Sequence, residues 1–391
     1  MARRQRHLGR RSSFSGGVEV NKRSASDENG SLHVAVACGG TGGHTYPGLA
    51  VAHALQKRGH RVTLWMSGKD VECQTVEGWQ GKVVTIPAEG FQFGLSWKSI
   101  RTLFRLLGAF FFAYPILKKD RPDVVIAMGS YSSFAPVASA ICLRIPYVLH
   151  EANVVPGRLV SMMSSRATAI AISFEASRYY LKHLWLVETG MPLRIDLRGE
   201  VEHQVASSSG AFSILVTGGS RGAQYLNEII PQGLNQVKEA GGTLRVLHIA
   251  GLNPLEPIQE VYAKGGVNAK VLSYVHDMEK QYQAADMVIC RAGASTCAEV
   301  CAFGKPALLI PYPYAVRDHQ MLNARALEKA GAADVIAQDE LTVDWLASYV
   351  MQVIDEPSRR AEQAQAALAC ANVHAAEEVA TLIEQVHHAK K

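Results

Sequence analysis

Three loop segments, two of them rich in glycine, carry most of the chemistry this sequence could perform. The first is Gly39-Gly-Thr-Gly-Gly-His44, followed by Pro47 and a helical pattern over 48–57. Glycines let a backbone approach a ligand closely, and a helix N-terminus behind them offers N–H groups and a partial positive charge. Such a loop suits an anion or a polar sugar. The second, Gly218-Gly-Ser-Arg-Gly-Ala223, has the same strand–loop–helix setting. The third is Arg291-Ala-Gly-Ala-Ser-Thr-Cys-Ala-Glu299. A helix starting near Ser295 would turn its first N–H groups to a diphosphate. Glu299 follows one turn later on the same face, where a carboxylate can accept from both hydroxyls of a ribose. The competing reading makes Ser295 a helix cap and Glu299 a surface residue.

Several other chemistries fail on spacing. The dinucleotide fingerprint GxGxxG needs a third glycine where Thr45 stands, and the second strand ends Trp65-Met-Ser67 with no acid for a ribose. No GK[ST] follows the glycines, no DxD occurs, and no His/Cys/Asp cluster has metal spacing. No cofactor and no metal is therefore expected. His33, His53, His60 and His248 are isolated and read as structural or solvent-facing.

These loops need strands to hold them. Apolar runs at His33–Cys38, Arg61–Met66, Val124–Met128, Tyr147–His150, Ser213–Thr217, Leu244–Ala250, Val271–Val275, Met287–Cys290 and Ala307–Ile310 read as buried parallel strands. They alternate with helical patterns, so the fold class is α/β, with two Rossmann-like domains facing across a cleft. The first covers residues 31–195 and the second 211–360, with a polar linker over 196–210. Residues 361–391 read as a C-terminal helix packing back across the domains.

The 391 residues are 48% hydrophobic and 19% charged, a balance that builds a sizeable core. The formal net charge is +5, and residues 1–30 hold seven Lys or Arg against three acids, so the folded body is nearly neutral. That argues against a nucleic-acid partner. The same thirty residues read as a disordered basic tail. Seven cysteines without a CxxC fit a reduced compartment, and no apolar run is long enough to span a membrane.

Taken in order, the loops resemble the MurG family, the N-acetylglucosaminyltransferases that act on undecaprenyl-pyrophosphoryl-MurNAc-pentapeptide. The resemblance spans about Val34 to Ala337. Its carriers are GGTGGH with Pro47-Gly-Leu-Ala50, GSYSS at 129–133, HEAN at 150–153, GMPLR at 190–194, GGSRGA with Asn227, the segment Arg291–Glu299, and DHQMLNA at 318–324. It implies the glycosyltransferase-B fold and transfer of GlcNAc from UDP-GlcNAc to a lipid-linked sugar, with inversion at the anomeric carbon. In the second domain, Ser220 and the N–H groups of Ala294, Ser295 and Thr296 would face the diphosphate, with Cys297 and Ala298 also in the UDP-GlcNAc site. Glu299 would hold the ribose and Val275 would lie beside the uracil. Arg194 would approach a phosphate, and His319 and Gln320 the sugar hydroxyls. From the first domain, Thr41, Gly42, Gly43 and Asn153 would close on the sugar, with His44 by the acceptor. The chain departs from the family pattern at Ser130, Ala152, Val160, Met191 and Arg221.

Such a transfer needs a base for the acceptor hydroxyl, and an unperturbed imidazole near pH 6.5 suits it. His44 is one candidate; Glu151, on the same sheet edge, is a second, as base or as orienter of His44. His44 bonding only its own loop is the third reading. Membrane contact rests on the segment Leu95–Lys119. Lys98, Arg101 and Arg105 precede Leu106, Leu107, Phe110, Phe111, Phe112 and Ile116, and Lys118 and Lys119 close it. It would let a peripheral enzyme rest on an anionic membrane surface, on the cytoplasmic face of the inner membrane. An ordinary helix packing its Phe face on the sheet is the alternative. For function as a whole, a related UDP-sugar transferase with another lipid acceptor, a UDP-GlcNAc epimerase and a non-enzymatic UDP-sugar-binding protein are the alternatives.

Overall fold

The computed structural model describes residues 30–68, 76, 78–86, 97–193, 210–219 and 223–389, with backbone alone for 97–103. The basic tail, nearly all of the linker, Arg194, Ser220 and Arg221 lie outside the described residues.

The first sheet is built from β1 (His33–Ala37), β2 (Arg61–Met66), β3 (Lys82–Thr85), β4 (Val124–Ala127), β5 (Tyr147–Glu151), β6 (Ala169–Ile172) and β7 (Leu186–Glu188). The second holds β8 (Phe212–Thr217), β9 (Leu244–Ile249), β10 (Asn268–Leu272), β11 (Met287–Cys290), β12 (Ala307–Leu309) and β13 (Asp334–Val335). Their orders are β3-β2-β1-β4-β5-β6-β7 and β10-β9-β8-β11-β12-β13, parallel throughout. In both sheets the first strand sits between the second and the fourth, the doubly wound order. Strands β1, β4, β5, β6 and β11 are buried along their length, as sheets covered on both faces require.

The chain order of the helices in the first sheet's lobe is α1 (Gly42–Lys57), α2 (Trp97–Asp120), α3 (Phe134–Leu143) and α4 (Arg158–Met163). The second lobe has α5 (Gln224–Glu239), α6 (Glu256–Lys264), α7 (Met278–Ala284), α8 (Ala294–Ala302), α9 (His319–Lys329) and α10 (Val343–Asp355). The C-terminal residues form two helices rather than one, α11 (Pro357–Ala369) and α12 (Ala375–His388). Ala367 of α11 joins the second lobe's core. Val379, Leu382, Ile383 and Val386 of α12 pack with Val34, Leu55 and Leu64 in the first lobe's core. Glu384 fastens α12 there, accepting from Arg58 and His60 at 2.9 Å each. The break between the helices holds Asn372, which donates to the Thr189 carbonyl at 3.1 Å.

Helix α2 does not present its phenylalanines to the sheet. Ala109, Ala113 and Leu117 are its buried face, while Phe104, Leu107, Phe111 and Phe112 are exposed. Phe104 and Phe111 keep 68% and 69% of their surface in solvent, which removes the reading of an ordinary Phe-inward helix. Among the described residues no helix is long and apolar enough to cross a membrane.

Candidate active site

The carboxyl ends of β1 and β5 meet those of β8 and β11 across a cavity of about 710 Å³. β1 and β8 stand at the switch points of their sheets, where strand order reverses and loops splay apart to leave a crevice. The volume falls within the range of small-molecule sites. Local sequence explains the fit of the first loop. Gly40 has φ +122°, and a Cβ there would stand 3.3 Å from the Ser130 Cβ. Gly48 lies so close to β1 that a Cβ would come within 2.1 Å of Cys38 Cβ, which lets α1 start directly over the strand.

On the second lobe's side, α8 begins at Gly293 without any side-chain cap. Ser295 is inside the helix, so the capping reading of Ser295 does not hold. Ala294, Ser295 and Thr296 line the cavity, and the first N–H groups of a helix have no partner within it. This end therefore presents donors and a positive potential to the cleft. Glu299 also lines the cavity and is no surface residue. Burial pushes its carboxyl up to about 7, partly offset by the Tyr282 hydroxyl, which donates to Oε2 at 2.8 Å. Tyr282 is itself buried, stacked on Phe303 with ring centroids 5.0 Å apart, so the carboxylate is held from behind. Val275, Ser273 and Ile249 complete a less polar end of the cavity.

On the first lobe's side, Gly42, Gly43 and His44 form the opposing wall. A Cβ on Gly43 would stand 4.0 Å from the Ser295 hydroxyl across the cleft. The Thr41 hydroxyl pairs with His44 Nδ1 at 3.0 Å instead of capping α1. Enclosure by protein lowers the His44 imidazole to about 4. His150 is buried close by, with Nε2 3.3 Å from the Gly190 carbonyl, and burial brings it also to about 4. Both rings are thus neutral at neutral pH.

Glu151 occupies a different position from the one expected of a base. It is buried behind the wall and does not line the cavity. Its Oε1 accepts from Asn153 N–H at 2.9 Å and its Oε2 from Gly157 N–H at 2.7 Å. Burial raises it to about 7, against these hydrogen bonds. The carboxyl braces the 152–157 loop and so presents Asn153 to the cleft. Asn153 Oδ1 in turn accepts from Asn323 at 3.1 Å. Asn323, fully buried, also takes the Val154 N–H at 2.9 Å and donates to the Ala292 carbonyl at 3.2 Å. One side chain on α9 therefore ties the first lobe's loop to the loop before α8.

Of the residues singled out in the sequence, the cleft brings together Gly42, Gly43, His44, Asn153, Val275, Ala294, Ser295, Thr296, Glu299 and His319. Thr41 acts one step back, through His44. Cys297 and Ala298 face away, because one turn of helix carries 295, 296 and 299 to the cleft and 297 and 298 to a second cavity behind α8. Gln320 is outside the lining, its side-chain oxygen accepting from Tyr312 N–H at 2.9 Å. Arg291 is a buried clamp on the Ile310 and Pro311 carbonyls. Tyr282, His150 and Asn323 escaped notice as functional positions. Asn323 and His150 did lie within marked motifs, whereas Tyr282 sits in a short helix with no signal of its own. Ala152 and Met191, two of the departures, pack together with Ala294 in one small apolar cluster. Of the isolated histidines, His248 joins Asn227 and Tyr262 at 2.9 Å each, His33 pairs with Thr63 and His60 with Glu384, while His53 is exposed.

Residues 34–172 match the glycosyltransferase family 28 N-terminal domain, and residues 213–386 match the family 28 C-terminal domain. The UDP-N-acetylglucosamine–N-acetylmuramyl-(pentapeptide) pyrophosphoryl-undecaprenol N-acetylglucosamine transferase of Geobacter sulfurreducens is 36% identical over 352 residues, 89% of this chain and 97% of the relative. The transferase of the same name from Cupriavidus pinatubonensis is 37% identical, covering 90% and 97%. The crystal structure of Acinetobacter baumannii MurG superposes with a TM-score of 0.73 at 30% identity, over 90% of this chain and 99% of that one. A UDP-N-acetylglucosamine 2-epimerase structure from Listeria monocytogenes matches at 15% identity and a TM-score of 0.69, which shows the shared fold alone.

Proposed function

The chain belongs to glycosyltransferase family 28, within the group of UDP-N-acetylglucosamine–N-acetylmuramyl-(pentapeptide) pyrophosphoryl-undecaprenol N-acetylglucosamine transferases, and from that premise we propose how its cleft works. It is a hexosyltransferase of peptidoglycan synthesis, moving GlcNAc from UDP-GlcNAc to undecaprenyl-pyrophosphoryl-MurNAc-pentapeptide. The observation that carries the reading is a juxtaposition across one cavity: an uncapped helix start with Glu299 on one wall, His44 on the other.

The α8 N-terminus receives the diphosphate and stabilises the UDP leaving group as charge develops on it. Glu299 accepts from the ribose hydroxyls. His44 faces the acceptor: with Nδ1 occupied by Thr41, Nε2 is the nitrogen that takes the proton of the attacking C4 hydroxyl of MurNAc. Attack from the face opposite UDP gives inversion in one displacement. Asn153, held by Glu151 and Asn323, positions the sugar. Arg194 and Ser220 would add phosphate contacts, and His319 a sugar contact.

The lipid acceptor calls for an interfacial enzyme, and the exposed Phe104, Leu107, Phe111 and Phe112 beside Lys118 and Lys119 support a peripheral seat on the anionic inner face of the cytoplasmic membrane. Purified protein incubated with UDP-GlcNAc and the undecaprenyl acceptor should release UDP. Release with diacylglycerol instead of that acceptor, or binding without release, would replace this reading by another lipid transferase or a sugar-binding protein.

A further inference from the structure

The first lobe's 152–157 loop is gripped from both sides of the cleft. Glu151 holds it from within its own lobe, at the N–H groups of Asn153 and Gly157. From the second lobe, the short segment 317–323 reaches the same loop at two points. Asn323 takes the Val154 N–H and donates to Asn153 Oδ1. Arg317, in the turn before α9, donates from Nη1 to the Pro156 carbonyl at 3.2 Å. Between Arg317 and Asn323 stands His319, which lines the cleft, as Asn153 does from the other lobe. His319 Nδ1 lies 2.9 Å from the Val316 carbonyl, which can only accept, so Nδ1 carries a proton and Nε2 is the nitrogen left for a ligand.

The backbone of this turn is strained. Arg317 and Asp318 are consecutive residues with φ +56° and +55°, the left-handed region that a Cβ disfavours. Such a conformation persists where surrounding contacts hold it, and it gathers at ligand sites. Asp318 makes no capping bond to α9, so the helix start does not hold it. The His319–Val316 bond closes the turn from inside, and the Arg317–Pro156 bond ties it to the opposite lobe.

We propose that Arg317 is a positioning residue for the donor sugar: its bond across the cleft sets His319 on one wall against Asn153 on the other. The inference rests on the reading of this cleft as a UDP-GlcNAc site, with the sugar between those two side chains. The nucleotide half of the site, the start of α8 with Glu299, belongs wholly to the second lobe. Parting the lobes leaves that half intact. The sugar half takes one side chain from each lobe, so its fit depends on how the lobes meet. Asn323 fixes the approach at residues 153 and 154, and one such point still permits rotation. Arg317 adds a second point at 156, which fixes the orientation of the loop as well as its distance. UDP therefore reports the half that Arg317 does not touch, and UDP-GlcNAc reports both.

The test measures Kd for UDP and for UDP-GlcNAc by titration calorimetry on the full chain at pH 8, where Glu299 is ionised. Arg317→Gly removes the guanidinium and suits the left-handed backbone, so the variant should melt like the wild type. Its affinity for UDP should stay within about twofold, while UDP-GlcNAc weakens roughly three- to tenfold, the effect of one hydrogen bond at a partly exposed site. Arg317→Lys keeps a donor on a stem of similar reach and should restore most of the loss. Asp318→Gly relaxes the same turn with Arg317 in place and should discriminate between the two ligands as the wild type does. An equal change for both ligands in Arg317→Gly, or no change for either, overturns the proposal. So does a loss of discrimination in Asp318→Gly as large as that in Arg317→Gly. A protein that discriminates through Arg317 yet never releases UDP with the undecaprenyl acceptor would sink the transferase reading and leave the positioning role standing.

Discussion

Glu299 makes donor binding dependent on pH in a direction the structure fixes. Its carboxyl in the free protein sits at about 7, raised by burial. A ribose diol donates hydrogen bonds, so it binds the ionised carboxylate, and protonation of Glu299 competes with binding. Affinity is thus full above about pH 8 and lost as pH falls through 7. If only the ionised form binds, about nine-tenths of the protein is competent at pH 8 and about one-tenth at pH 6. The apparent Kd for UDP-GlcNAc should rise roughly tenfold between them, about 1.4 kcal/mol. The ligand choice matters: both phosphates of UDP-GlcNAc are esterified, so the ligand itself does not titrate in this window, whereas UDP does. Isothermal titration calorimetry in buffers of different ionisation enthalpy would measure both Kd and the proton released. Glu299→Gln should flatten the profile, and Glu299→Ala should weaken binding at pH 8 by about 1.5–3 kcal/mol. A wild-type profile flat from pH 6 to 8, or one that keeps its slope in Glu299→Gln, would refute the assignment.

Removing the Tyr282 hydroxyl with Tyr282→Phe takes away the bond that holds Glu299 down, so the acid limb of donor affinity should move to higher pH by roughly one unit or more. Turnover should survive EDTA, because the start of α8 provides the positive end that stabilises the leaving diphosphate; loss with EDTA and recovery with magnesium would count against that role. Flotation with anionic vesicles should weaken in Phe104→Ser/Phe111→Ser by up to about a hundredfold, taking about 1.5 kcal/mol per ring at the low end of side-chain burial. An unchanged partition would assign that face to something other than lipid. His44→Gln should lower kcat by about 10²–10⁴ with UDP-GlcNAc affinity intact, read by single-turnover kinetics.

Strong apolar runs made most of the sheet legible in advance. Arg61–Met66 and Met287–Cys290 coincide with the observed strands, and six others differ by a single residue each. The exceptions have physical reasons. Strand β10 lies at Asn268–Leu272, three residues before the expected Val271–Val275. It is an edge strand with mostly exposed or half-exposed side chains, so hydrophobicity marks only its end. Edge strand β3 is likewise mostly exposed, β6 is half alanine, and β7 and β13 have three and two residues, too short for any pattern. At the site, types and spacing located the wall residues, since loops after parallel strands converge at a switch point. They did not separate Ser295, Thr296 and Glu299 from Cys297 and Ala298, because the face of α8 that opens on the cleft depends on how the lobes meet. Nor could they reveal that Glu151 points into its own loop: a short acidic side chain beside a strand end looks the same whether it serves the ligand or the backbone.

The choice of base turns on geometry against basicity. Burial lowers His44 to about 4 and raises Glu151 to about 7, so the carboxylate is the stronger base in the free protein. Yet Glu151 would have to give up the Asn153 or Gly157 N–H to take a proton, and it has no face on the cleft. His44 has both an open nitrogen and a position on the cleft wall, and its weakness as a base comes from its enclosure in the free protein. A negative charge in the cleft favours the imidazolium, so the bound diphosphate would raise the imidazole above its value of about 4 in the free protein. The base then gains strength only in the loaded complex, where a proton must move. Two pH profiles separate the groups. The profile of kcat/KM reports the free enzyme and should bend near 7, where Glu299 titrates; kcat reports the complex and should bend where the lifted His44 titrates. Glu299→Gln should erase the first bend and spare the second, and His44→Gln should do the reverse. An acid limb in kcat that survives in His44→Gln would transfer the proton to another group, and Glu151 would be the first to try.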